Sequence, residues 1–407
     1  MSEIIDNRAN RIRTLKSIIK ELHSGRPADQ VKRKLSELVR QTDYSEILSM
    51  EQELIAEGMP ASEIQGMCDL HSQVTREVLV QIPAKALPPG HPIDTFRREN
   101  QALREVVTRF RESMRQILEN TDDAAMVSWR QALNELMDIE KHYQRKEYLL
   151  FSCLERHGIT GPSRVMWGKD DEVRQQLKNL GRVLQQADAE LAKFLAATAG
   201  ETAAATVEEM IYKEENILFR VCLDTFTDDE WGQIWADSPQ YGWCLVEPRD
   251  GYRPPATSVI AAAPIRVTDA VALPSGRLNL KQLTGIFATL PVDITFVDAD
   301  DRVVFFSEGQ ARIFARSKAI LGRKVQNCHP PNSVHVVERI LEDFRSGKQD
   351  VAEFWIQFKG KMVHIRYFAV REEDGGYLGT LEVTQNVSPI RELSGERRLL
   401  QYENSVA

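Results

Sequence analysis

The sequence predicts a multidomain protein: an all-α N-terminal region, a four-helix up-and-down bundle, and an α+β domain at the C-terminal end. Three observations lead there. At 407 residues the chain is too long for one ordinary core. Apolar residues recur at helical spacing as far as about residue 245, and beyond about 290 the period becomes two. Between these stretches lie segments rich in Pro, Ala, Ser and Thr.

Residues 1–84 read as short helices. Ile12, Leu15, Ile18, Ile19 and Leu22 share one face, and Gly25-Arg26-Pro27 ends that run. Further stripes carry Val31, Leu35, Leu38 and Val39, then Ile47, Met50, Leu54 and Ile55, then Ile64, Met67, Val74 and Val78. Cys68 and His71, three apart, share a helix face and could offer two metal ligands. A core cysteine with a polar neighbour explains that pair better. The run Leu87-Pro88-Pro89-Gly90-His91-Pro92 marks a boundary.

Residues 90–246 hold four long helical patterns. The first carries Phe96, Leu103, Val107, Phe110, Met114 and Ile117; the second, Leu136, Ile139, Tyr143 and Leu150. The third carries Val173, Leu177, Leu180, Leu184, Leu191 and Phe194; the fourth, Val207, Ile211, Leu218 and Val221. Amphipathic helices of this length argue for an up-and-down bundle. Thr227 and Glu230 have capping-box spacing before a short helix. Residues 247–277 read as a linker. Residues 278–392 then give a strand pair turning at Asp300-Asp301, a helical middle, and a meander turning at Lys359-Gly360 and Gly375-Gly376. Residues 393–407 form a charged terminal helix or tail.

Polar residues inside an apolar stripe carry information, because a buried carboxylate needs a partner. Glu214 and Glu99 fall within their stripes, His142 and Glu147 flank the second, and Asp170 edges the third. Inward carboxylates and an imidazole on facing helices can hold a di-metal centre, with iron, manganese or zinc as suitable ions. The alternative is an ordinary bundle whose inward acids pair with basic residues such as Lys146 or Arg104.

The segments His142–Phe151 (HYQRKEYLLF), Val165–Glu172 (VMWGKDDE) and Met210–Phe219 (MIYKEENILF) resemble the hemerythrin-like (HHE cation-binding) domain. That resemblance implies a non-haem di-iron centre inside a four-helix bundle, binding oxygen, nitric oxide or metal. It implies ligands at His91, Glu99, His142, Glu147, Asp170 and Glu214. Departures from the family pattern are Met210 and Asp170 where histidines stand, and His91 or Asp94 for the first-helix histidine. Lys146 stands four residues after His142, and Glu147 five after. Both His142 and Glu147 can face one metal only through a π-bulge. Glu51 to Gly58 and Cys68 to His71 resemble an uncharacterised helical domain found ahead of hemerythrin-like and PAS modules.

Leu290-Pro291-Val292, the Asp298–Val303 hairpin, Leu321-Gly322-Arg323 and Gly379–Thr384 resemble PAS domains. The resemblance runs from Leu283 to Arg391 and implies a sheet around a ligand pocket, together with homodimerisation. His329, beside Cys328, is placed where such a fold could offer an axial haem ligand. Pro330-Pro331 also makes a rigid loop, and a loop histidine usually faces solvent.

The net charge of −8 with mixed signs argues against nucleic acid. No apolar run is long enough for a membrane, and the charged N-terminus lacks a secretory h-region. Five scattered cysteines fit reduced thiols, so a cytoplasmic location is expected. Walker, G-x-S-x-G, kinase and DNA-reading motifs are absent from the sequence. The expected function is a sensor of redox state, gas or metal that acts through a signalling partner protein, and the residues favour this over an enzyme. Alternatives are a di-iron protein repairing iron–sulfur centres or handling nitric oxide, and a metal-free bundle with a ligand-binding PAS domain.

Overall fold

A computed structural model describes residues 86–254, 271–309, 312–396 and 398, with positions 14, 53 and 57. The expected N-terminal helices, with Cys68 and His71, lie outside these residues. The chain divides into two compact units. The first holds the described residues up to 254, with Arg316–Arg323 and Asn327–His335; the second holds the described residues of 271–315, 324–326 and from Val336 onward.

The first unit is a helical bundle. Helix α1 (Pro92–Glu119) buries Phe96, Leu103, Val107, Phe110, Met114 and Ile117, the stripe predicted from spacing, together with Ile93. A second run joins α2 (Asp123–Leu136), α3 (Ile139–Arg145), a π-helical turn (Lys146–Leu150) and α4 (Phe151–Arg156). Helix α5 (Gly161–Leu184) returns. The last run joins α6 (Ala189–Leu195), a π turn (Ala196–Gly200), α7 (Glu201–Lys213), a π turn (Glu214–Leu218) and α8 (Phe219–Thr225). Helix α9 (Asp228–Asp237) starts with the expected capping box between Thr227 and Glu230.

The third helix is shorter than its apolar pattern suggested. It ends at Leu184, and Asp188 caps a new helix by accepting from the Leu191 amide at 2.9 Å. Leu191 and Phe194 therefore belong to the fourth run, where they are 37% and 64% exposed. A helix period cannot mark a break when the next helix continues in similar phase; the Asp cap was the available signal.

In the second unit, α10 (Leu280–Thr289) is followed by a five-stranded antiparallel sheet in the order β4-β3-β7-β6-β5. Its strands are β3 (Asp293–Asp298), β4 (Val303–Phe306), β5 (Val351–Phe358), β6 (Lys361–Arg371) and β7 (Tyr377–Asn386). Helix α11 (Pro331–Arg345) separates the opening strand pair from the meander, and α12 (Ser388–Arg391) follows β7. The β5–β6 turn places Lys359 and Gly360 at φ 48° and 74°, which suits a tight hairpin. A small hairpin, β1 (Val271–Leu273) with β2 (Gly276–Leu278), ends the stretch read as linker. Among the described residues no helix is long and apolar enough to cross a membrane.

Candidate functional site

The bundle interior contains a cluster of ionisable side chains contributed by all four runs. Glu99 comes from α1, His142 and Arg145 from α3, Asp170 from α5 and Glu214 from the last run. Lys146 and Glu147 open the π turn that follows α3. All seven are buried. Each reaches the interior because its helical run turns an apolar stripe inward and carries polar positions within or beside it.

His142 links two carboxylates: Nδ1 is 2.8 Å from Glu99 Oε2, and Nε2 is 3.0 Å from Glu214 Oε2. Glu99 Oε2 also accepts from Arg145, and its Oε1 accepts from the Cys244 amide at 2.8 Å. The Arg145 guanidinium lies 4.7 Å from the Phe96 ring centre and 4.6 Å from that of Trp243. Lys146 Nζ donates to Asp170 Oδ1 at 2.7 Å and also to Glu214. Its ammonium lies 4.1 Å from the Tyr143 ring centre. Glu147 forms a two-pronged pair with Arg174 of α5, at 2.7 and 2.9 Å.

The π turn that would let His142 and Glu147 share a face is present at Lys146–Leu150, but it serves a different residue. An extra residue in the turn shifts the helix face, and here Lys146 lies between Asp170 and Glu214, while Glu147 faces Arg174. Glu99, His142, Asp170 and Glu214 lie in one buried hydrogen-bonded cluster, with Glu99 and Glu214 on opposite nitrogens of the His142 ring and Lys146 joining Glu214 to Asp170. His91 does not join them. It caps α1, accepting from the Ile93 amide at 3.2 Å, and packs against Trp231 and Tyr252. Arg145 and Arg174 were missed in the sequence; Arg145, three residues after His142, could have been found by following that helix face. Asp94, the other candidate for the first-helix histidine, pairs with Arg249.

The electrostatics follow from burial and pairing. Burial alone would lower the His142 pKa, but Glu214 and Glu99 raise it above its ordinary value. Burial likewise opposes the Lys146 charge, but Asp170 and Glu214 overcome it and raise that pKa. The two carboxylates that share Lys146 differ. Burial raises Glu214, but Lys146 and His142 overcome it and bring its pKa to about 2. For Asp170, burial dominates and raises its pKa well above the ordinary value. Burial also raises Glu147, against the pull of Arg174.

Three carboxylates and an imidazole make a suitable donor set for iron or a similar dication. In this chain a cation already stands among them. The carboxyl groups of Glu99, Glu147, Asp170 and Glu214 face Arg145, Lys146, Arg174 and His142 of the same chain. Adding a dication beside a buried ammonium would be repulsive until Lys146 lost its proton. The residues as arranged do not fit a di-iron centre.

Cys328 is buried at the end of a short 3-10 segment, and His329 is half-buried beside it. In the second unit a cavity of about 430 Å³ is lined by residues including Ala288, Leu290, Asp293, Ile313, Thr384 and Asn386, but neither Cys328 nor His329. Its volume is in the range of small-molecule sites.

Residues 91–222 match the family profile of the hemerythrin HHE cation binding domain, and residues 283–388 that of a PAS domain. Residues 15–81 match a family of unknown function (DUF438). Among solved structures, the C-terminal domain of a Streptococcus mutans protein is 33% identical. The match covers 31% of this chain and 99% of that one, with a TM-score of 0.30. The PAS domain of a Colwellia psychrerythraea protein is 15% identical, covering 27% and 98%, with a TM-score of 0.22. A sensory box sensor histidine kinase from Vibrio cholerae is 14% identical, covering 26% and 88%, with a TM-score of 0.21. No curated protein matches the chain.

Lys146→Met should cost about 3–5 kcal/mol, because it leaves Glu214 and Asp170 buried without their cation. Adding Glu214→Gln should recover part of that loss. Urea unfolding checks this, and a cost within about 1 kcal/mol would remove Lys146 as the counter-ion. The raised His142 pKa stabilises the fold below about 6.5, and that contribution is lost as pH rises through the folded value. The depressed Glu214 pKa stabilises above the ordinary 4.5, and that contribution is lost as pH falls towards 2. The unfolding midpoint should therefore fall on both sides of this window, and the acid branch should weaken in Lys146→Met.

Proposed function

We propose that this chain, which joins a hemerythrin HHE cation binding domain to a PAS domain, is a sensor-type signalling protein whose bundle is built around an internal cation. The Lys146 ammonium takes the part that a metal would play, and the PAS cavity receives a small ligand as the input. The supporting observation is the position of Lys146 Nζ, 2.7 Å from Asp170 and paired with Glu214, with no exposed side-chain surface. A partner protein would carry the signal onward.

A second reading is favoured by the convergence of donors from four helical runs. Glu99, His142, Asp170 and Glu214, with Glu147 released from Arg174, would hold iron if Lys146 became neutral and withdrew. Iron there would supply gas or redox chemistry, and repair of iron–sulfur centres or nitric oxide handling would depend on it.

Elemental analysis and visible spectra of anaerobically purified protein separate the two readings. The internal-cation account expects no stoichiometric iron that depends on Glu214, and no rise of Tm with iron. Lys146→Glu restores the family's His-x-x-x-Glu spacing after His142, and should make stability depend on added iron. About two irons per wild-type chain, lost in Glu214→Ala, would overturn the account in favour of the second reading. A Soret band lost in His329→Ala would make haem, rather than a ligand of the lined cavity, the input.

Homodimerisation through the PAS domain is supported by apolar side chains exposed on α10 and β5, among them Leu280, Ile286, Phe354 and Trp355. Sedimentation should find a dimer that Trp355→Glu converts to a monomer; a monomeric wild type would rule the dimer out.

A further inference from the structure

Apart from the charge cluster, the described residues bring together a second set of ligating side chains: Cys153, His157 and Glu230. Cys153 lies in α4 and His157 is its C-cap, four residues on, so both project from one face. Glu230 stands in the first turn of α9. One ligand atom from each lies within 4.8 Å of the other two, and His157 Nε2 is 3.0 Å from both Glu230 oxygens. A zinc ion with bonds of about 2.0–2.3 Å to N, O and S spans such a triangle after shifts of roughly an ångström.

We propose that Cys153, His157 and Glu230 form a mononuclear site for a zinc-class dication, with a fourth position open to water. An ordinary hydrogen-bonded pair would need only His157 and Glu230. The buried Cys153 thiol, completing the triangle, is what goes beyond it. A thiolate with an imidazole selects zinc or cobalt over magnesium or calcium. The thiolate and the carboxylate together match the charge of the dication, and the neighbouring Arg156 guanidinium, 3.6 Å from Glu230 Oε1, has a side chain 40% exposed to screening by solvent. Glu230 is held ready by its capping box: Oε2 accepts from the Thr227 amide at 2.9 Å, while Oε1 faces His157 and Arg156. Cys153 is fully buried but the His157 side chain is 33% exposed, which gives an ion an entry side.

The Cys153 thiol gives up its proton as the sulfur–metal bond forms. His157, which donates from Nε2 to Glu230 before an ion binds, takes the ion through that nitrogen and keeps its ring proton on Nδ1, so that from the neutral imidazole one proton leaves per ion bound. Burial holds that thiol well above its ordinary pKa, so affinity should rise with pH. Glu230 is already ionised: burial raises its pKa, but the Thr227 amide and His157 overcome this and bring it to about 2.

Cobalt titration of the full chain under anaerobic conditions tests the site. About one equivalent should produce a near-ultraviolet thiolate-to-cobalt charge-transfer band, release one proton, and be displaced by zinc. Cys153→Ala should abolish the band. His157→Ala, at a partly exposed position, guards against a variant that fails to fold; it should weaken binding by about tenfold or more. No band in the wild type, or a band that survives Cys153→Ala, would overturn the proposal. Loss of the Lys146 reading would leave this result untouched, because the charge cluster supplies no thiolate from Cys153.

Discussion

A buried carboxylate must be neutralised, and the bundle is organised by that constraint. Removing an ion from water costs several kcal/mol even after relaxation, and the interior of this bundle holds four carboxylates. Each is matched by a cation of the same chain. Glu99 has Arg145 and His142, Glu214 has Lys146 and His142, Asp170 has Lys146, and Glu147 has Arg174. Such a network adds little net stability over a hydrophobic core, but removal of any one member is costly. It also ties the four helical runs to one register, since each ion pair crosses from one run to another.

The π turns explain how the pairing is reached. One begins at Lys146 and another at Glu214, the two residues that pair. In an uninterrupted α-helix His142 and Lys146, four apart, lie roughly one above the other. Lys146 sits at the junction where the widened turn starts, so His142 and Lys146 can both address Glu214 through its different oxygens. Glu147, one position further, is directed to α5 and Arg174. Residues 91–222, which match the profile of the hemerythrin HHE cation binding domain, thus enclose carboxylates that pair with cations of the same chain.

Much of this was legible beforehand, for identifiable reasons. Strict periodicity disclosed α1 and the inward placement of Glu99 and Glu214, and turn residues disclosed the hairpins at Asp300-Asp301 and Lys359-Gly360. The pairing of inward acids with Lys146 was available as an alternative, because a basic residue four after His142 must share its face. His91 could not be placed from spacing: a histidine before Pro92 can cap the helix or point inward, and only its packing on Trp231 decides. The Cys153, His157 and Glu230 group was hidden by distance in sequence. Its helical half, a cysteine and a histidine four apart, was readable. Glu230 was recognisable only as a capping residue, 73 positions from its histidine partner.

The account's central claim is that Lys146 remains an ammonium ion inside the bundle. NMR of the full chain labelled at lysine Nζ tests it directly. The account predicts one slowly exchanging ammonium signal, lost in Lys146→Met, that stays protonated beyond the usual lysine pKa of about 10.4. A neutral amine at that position at neutral pH would contradict it, and would return the buried carboxylates to the search for a metal.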